Sequence, residues 1–234
     1  MRKTLFLALT LAAPAVNAAD IDNLGALNQR EFRHFSEDLG AALSYKALAP
    51  AEPLGVTGFD IGVEVTSTRL GHSDLFERVS DEDLDSVVIP KVYAHKGLPF
   101  GIDVGLMYAT VPDSNVDLVG AELRYALVEG GVAMPAVAVR GTWSRMDGVD
   151  QLDLETRGLE LTVSKGFAML TPYAGVGQVW VDSDPNVTLL NDESFTLSKY
   201  YAGANLALGL LSIGLEAEQM GDARSLGGKF ALRW

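Results

Sequence analysis

The side chains able to do chemistry recur at alternate positions through otherwise apolar stretches. Asp60 and Glu64 interleave with Phe59, Ile61, Val63 and Val65, and Glu122 and Arg124 with Ala121, Leu123 and Tyr125. Asp103, Arg140, Glu160, Lys199, Glu216, Glu218, Lys229 and Arg233 sit in the same kind of alternation. A period of two is that of a strand, so these charges share one face and the apolar groups the other. A face carrying both signs has two uses if it is turned inward. It can form a paired network filling a narrow interior, since buried charges must be paired or hydrated, or it can line a path for ions. The network is the preferred expectation and the path the alternative.

Hydrolytic chemistry finds less support. The only histidines are His34, His72 and His95. His72 has an acid nearby, Asp74, and there is no Gly-x-Ser-x-Gly element. A non-enzyme without cofactors is expected, with a hydrolase at the outer rim as the third reading. Carboxylates in the segments between alternating stretches, Asp81, Glu82, Asp83 and Asp85 above all, are candidates for a hard divalent cation. They lack the central Gly and twelfth-position Glu of an EF-hand. The net charge of −13 excludes nucleic acid as a partner.

The elements that must position these groups are strands. Alternation runs through 59–66, 100–108, 119–127, 137–144, 159–164, 199–208, 213–218 and 229–234. Two less regular stretches, 88–96 with Pro90 and 169–181 with Pro172, complete a count of ten, with eight and twelve left open. Short connections, such as 96–99 and 209–212, take turns with longer ones at 71–86, 147–155 and 182–196. Asn28 to Lys46 reads as the only helix, with Phe32, Phe35, Leu39 and Leu43 on one stripe and the Pro50 to Pro53 region stopping it. A polar interior is a poor partner for that stripe, so the helix is expected at the rim of the strand assembly; the alternative is a plug inside.

The two ends narrow the class. Met1-Arg2-Lys3, the apolar Thr4–Ala15 and the small Ala18 read as a signal peptide spanning residues 1–18. Its removal takes two positive charges from −13 and leaves −15. The chain has no Cys, so disulfides are excluded. No later stretch is an apolar run long enough for a membrane helix. At the other end Phe230, Leu232 and Trp234 alternate with Lys229, Ala231 and Arg233, after Gly228.

These last residues resemble the C-terminal assembly signal of bacterial outer-membrane β-barrels, in which a terminal aromatic follows apolar residues two and four positions earlier. That family usually ends in Phe, and Trp234 departs from it. The resemblance implies an all-β, porin-like, up-and-down transmembrane barrel of a Gram-negative bacterium. It implies Gly228, Phe230, Leu232 and Trp234 as the signal, and barrel-assembly machinery, periplasmic chaperones, outer-membrane lipid and lipopolysaccharide as partners. The expected organisation is a signal peptide (1–18), a periplasmic segment with the amphipathic helix (19–54) and the barrel (55–234), with both termini in the periplasm. The expected function is a structural or surface-interaction barrel with a charge-filled lumen and acidic extracellular loops.

Overall fold

The computed structural model describes residues 21, 23–80, 84–111 and 116–234. The expected signal peptide, 1–18, lies outside the described residues. Ten antiparallel strands close into a barrel in which each strand pairs with its sequence neighbours and β1 meets β10. They are β1 (Phe59–Arg69), β2 (Ser86–Gly97), β3 (Ile102–Thr110), β4 (Asp117–Val128), β5 (Ala136–Asp147), β6 (Leu152–Ser164), β7 (Leu170–Pro185), β8 (Glu193–Leu208), β9 (Leu211–Met220) and β10 (Ala223–Arg233). The closure is double-sided at Trp234, which accepts from the Phe59 amide at 2.9 Å and donates to its carbonyl at 3.1 Å. Both prolines that blur the alternation sit where a neighbour ends. β3 pairs with β2 only from Lys91 onward, and β6 with β7 only from Tyr173 onward. Each ring therefore lies at the margin of a ladder rather than in its middle.

One end of the barrel, the turn end, carries Phe59, Trp234 and the tight β2–β3 and β8–β9 connections. The other, the loop end, carries the β1–β2 connection and its helix. The wall changes character between them. Near the turn end Ile61, Leu106, Leu123, Leu159, Leu215 and Phe230 are exposed outside while the charges are buried inside. Toward the loop end the pattern reverses: Leu154, Val179, Val181, Phe195 and Leu197 are buried inside, and Asp153, Arg157, Asp184 and Thr196 face out. The outer apolar band is bounded by Tyr108, Trp143, Trp180 and Tyr200 on the loop side and by Phe59, Phe100, Tyr125 and Trp234 on the other. Two such aromatic belts around an apolar band are the arrangement found in membrane barrels, whose lipid-facing band is about 25 Å tall. Beyond Tyr108, Trp143, Trp180 and Tyr200 the barrel continues as a wall with a charged outer face around an apolar interior.

This reversal changes two loop assignments. Much of 182–196 and 147–155, read as loop because of its acids, is strand: β7 runs to Pro185, β8 starts at Glu193 and β6 starts at Leu152. There Asp153, Glu155, Asp182 and Asp184 sit on the outer face, while Glu193, opposite Ser183, faces inward to Arg33.

It also changes the place of the first helix. Helix α1 (Gln29–Leu43) lies inside the barrel, touching β1, β5, β6, β7, β8 and β10. The expected rim position is overturned. Its premise, a wholly polar lumen, holds only for the turn half. In the loop half Phe32, Phe35, Leu39 and Leu43 are buried against the apolar inner wall. Burying such a side chain is worth about 1.5–3 kcal/mol. Gly40 permits the fit, since a Cβ there would lie 2.9 Å from both methyls of Val181. Asn28 caps the helix, accepting from the amides of Arg30 and Glu31, while Glu31 reaches back to the Asn28 amide. A second helix, α2 (Ser73–Ser80), occupies the β1–β2 connection. Its eight residues were too short to stand out from the acidic loop in the sequence, which had suggested a single helix. Phe76 of α2 meets Phe35 of α1 at 4.5 Å between ring centroids.

Candidate functional site

The polar half of the lumen is the candidate site, and every strand but β7 delivers an inward charge at fixed register. Asp103 and Arg124 are cross-strand partners and pair at 2.6 Å; Arg140 and Glu160 are partners and pair at 3.2 Å; Glu64 and Lys91 do so at 2.8 Å. Arg140 also reaches Glu122 at 3.3 Å. Lys199 joins Glu160 at 2.8 Å to Glu218 at 3.1 Å, and Lys229 meets Asp60 at 3.1 Å. Tyr93 Oη donates to the other Asp60 oxygen at 2.8 Å. All of these groups are buried. Such charges tolerate burial only as partners, because an isolated one costs several kcal/mol.

Of the residues singled out in the sequence, Asp60, Glu64, Asp103, Glu122, Arg124, Arg140, Glu160, Lys199 and Lys229 join this network. Glu216 is buried on β9 and Arg233 half-buried at the turn end; neither has an ion-pair partner within 4.0 Å among the described residues. Phe230, Leu232 and Trp234 face outward and Trp234 stacks on Phe59 at 5.1 Å. Gly228 pairs with Val65 and Leu215 across the closing strands.

The network does not close on itself; it grips a strand of backbone. After α1 the chain runs without regular secondary structure from Ser44 to Leu54 through the polar half, bending at Leu48, whose φ is 43°. Lys199 Nζ donates to the Tyr45 carbonyl at 3.1 Å, Arg140 Nη2 to Ala49 at 3.1 Å and Arg124 Nη1 to Pro50 at 2.8 Å. Ser164 accepts from the Ala51 amide at 3.0 Å, and Asp103 from the Leu54 amide at 3.1 Å. Lys46 ion-pairs with Glu218 at 2.9 Å, and Tyr45 Oη lies 2.9 Å from His95 Nε2. Gly55, at φ 77°, then turns the chain out toward β1.

Sequence reading missed Tyr45, Lys46, Lys91, Tyr93 and His95 as members of this set. Lys91, Tyr93 and His95 were obscured by the irregular stretch around Pro90. For the threaded segment a signal was present: Ala47, Ala49 and Ala51, all buried, are small enough to pass through a crowded tube.

The threading places the two described ends apart. Near the loop end the Asn23 amide donates to Val79, the Leu24 amide to Gln151, and Arg33 pairs with Glu193. Trp234 is at the turn end. The expectation that both termini share one side is therefore overturned for the described chain.

Among the described residues no group of three or more His, Asp or Glu is placed to hold a metal. Asp81, Glu82 and Asp83 lie outside the described residues, and Asp85 is exposed. At the loop end His72 stacks on His34 at 4.4 Å, and its Nδ1 lies 3.3 Å from Asp38. Asp38 accepts from the Gly71 and His72 amides at 3.0 and 2.7 Å, latching α1 to the β1–β2 connection. Burial raises the Asp38 carboxyl above its ordinary range, and those two amides oppose the shift.

No family model matches the sequence, and no curated protein does. Solved structures similar to it are outer-membrane barrels. OmpTdeltaL8, a loop-deletion mutant of an outer membrane protein of Vibrio cholerae, is 10% identical at a TM-score of 0.33, over 63% of this chain and 54% of that one. This chain thus aligns with little more than half of that protein's length. Neisserial surface protein A is 8% identical at 0.31, over 75% and 95%. The translocator domain of the autotransporter NalP from Neisseria meningitidis is 8% identical at 0.40, over 77% and 88%. The fold of this chain is a closed ten-stranded antiparallel barrel.

Proposed function

We propose that this protein is a self-plugged outer-membrane barrel with a structural or surface-interaction role, rather than an open channel or a catalyst. The observation that carries the reading is the continuous occupation of the lumen: α1 fills the apolar half, and the 44–54 backbone is bound by Arg124, Arg140 and Lys199 in the polar half. The charged face does the work of a network. Its arginines and lysines hold a neutral backbone and their own carboxylates.

In this reading the turn end faces the periplasm, the loop end projects outside, and the N-terminal segment runs through the barrel to the outer side. The exposed acids of the projecting wall, such as Asp153 and Asp184, give that surface its negative charge. Assembly machinery, periplasmic chaperones and the lipopolysaccharide leaflet are the partners this placement calls for.

The test is conductance of the refolded mature chain in a planar bilayer, beside a variant lacking residues 21–54. A silent wild type and a conducting deletion variant support the plug. Discrete steps from the wild type would make it a narrow pore instead.

A further inference from the structure

The outer wall carries four arginines at the loop-side edge of the apolar band, and they fall into two kinds. Arg145 pairs with Asp147 at 3.2 Å, and Arg157 with Glu155 at 2.5 Å. Arg69 and Arg224 are both exposed, are direct cross-strand partners on β1 and β10, and have no carboxylate within 4.0 Å among the described residues. Like charges directly opposite one another on a sheet face are destabilising. In a chain this acidic, two unopposed cations side by side are an unusual expense unless an anion lies between them.

Their surroundings say where that anion sits. The register row runs Arg69, Arg224, Gln219, Tyr200, so the two guanidiniums stand in line with an amide donor and a girdle tyrosine. One step toward the turn end the outward row becomes Ser67, Leu226, Ala217 and Ala202. These groups line an open groove of about 630 Å³. Its upper edge is cationic, and its floor is apolar, with the short side chains of Ala202 and Ala217 leaving the depression. We infer that this groove seats a lipid of the surrounding leaflet, with its headgroup phosphate on Arg69 and Arg224 and an acyl chain lying over Ala202, Ala217 and Leu226. Arginine forks match phosphate oxygens in bidentate fashion, and the level of the aromatic girdle is that of lipid headgroups. The inference rests on the membrane-barrel reading of the wall and adds to it a lipid site.

The experiment is native mass spectrometry of the full mature protein in detergent, titrated with phosphatidic acid, with diacylglycerol, or with inorganic phosphate alone. Phosphatidic acid and diacylglycerol differ only in the phosphate. The expected result is a retained phosphatidic acid adduct, weakened about tenfold or more in R69Q/R224Q, as loss of two charge-assisted contacts requires. R145Q/R157Q should match wild type, and diacylglycerol should bind no better than to the R69Q/R224Q variant. The heat-sensitive gel shift checks that each variant is folded. If the double variant is not, R224Q replaces it, with a smaller loss expected. Equal binding by the arginine variant, or equal binding of diacylglycerol, overturns the site. Arginine-dependent binding of inorganic phosphate as tight as that of the lipid overturns the lipid assignment. Insertion into neutral phosphatidylcholine vesicles separates the two levels: failure to insert overturns the membrane reading itself, whereas insertion with arginine-independent lipid binding overturns only this inference.

Discussion

Arg124 lies 2.6 Å from Asp103 and, with another nitrogen, donates 2.8 Å to the carbonyl of Pro50. One wall residue thus joins a strand-to-strand ion pair to the backbone that threads the barrel. Arg140 and Lys199 repeat the arrangement with Ala49 and Tyr45. Wall and plug are therefore one structure, and loss of either should weaken the other.

Replacing Arg124 with Met leaves Asp103 buried without its cation. A loss of about 3–5 kcal/mol is expected. Denaturant unfolding followed by tryptophan fluorescence measures it, and an unchanged midpoint would mean that water reaches Asp103.

Phe35 is fully buried between the inner wall and Phe76. Truncation to Ala should cost about 3–5 kcal/mol in an apolar interior that cannot collapse. The same change on an exposed rim helix would cost far less, so the unfolding midpoint of F35A separates the two placements.

Phe230 faces outward in the apolar band and Trp234 makes the last hydrogen bonds of the seam. F230D should reduce assembly, an acid in the lipid band costing on the order of 2 kcal/mol. Deleting Trp234 should act through the lost Phe59 pairing. Normal amounts of both variants in the heat-sensitive, folded form would contradict the outward assignment of this face.

The start of α1 should respond to acid. Arg78, bonded to Glu31 at 2.8 Å, and the Asn28 amide hold the Glu31 carboxyl below its ordinary value of 4.5. A lowered folded-state value gives stabilisation that is complete above the unfolded value and lost as pH falls through the lowered one. The exchange protection of the first turn of α1, relative to the intrinsic rate at each pH, should therefore fall below pH 4.5, and in E31Q that fall should be absent.

How much of this was legible in the sequence depended on whether a residue's face kept one meaning. In the turn half of β1, β4 and β9 it did, and Asp60, Glu64, Glu122 and Glu216 read directly as inward. In β6, β7 and β8 the wall leaves the lipid band partway along, so Val181 turns inward and Asp182 outward, and the same alternation carries the opposite sense. A pattern with period two cannot mark that crossing, which is why 182–196 looked like loop. The helix suffered from the same ambiguity. Its stripe of Phe32, Phe35, Leu39 and Leu43 was plain, but the apolar interior that receives it is built from strand ends assigned to loops. Tyr45 to Leu54 carries no periodicity because its hydrogen bonds go to side chains of the wall rather than to a ladder.

The central claim, that the chain's own N-terminal helix lies in the lumen, has a direct test. Ser36 Oγ of α1 lies 2.9 Å from Ser183 Oγ on the inner face of β7. The protein has no Cys of its own, so S36C/S183C introduces the only thiols. In the refolded, vesicle-inserted barrel this pair should form a disulfide on mild oxidation, seen as a reduction-sensitive shift on a denaturing gel. Two thiols that stay free in the folded protein, and a heat-sensitive barrel that survives without the cross-link, would place the helix elsewhere and contradict the plug.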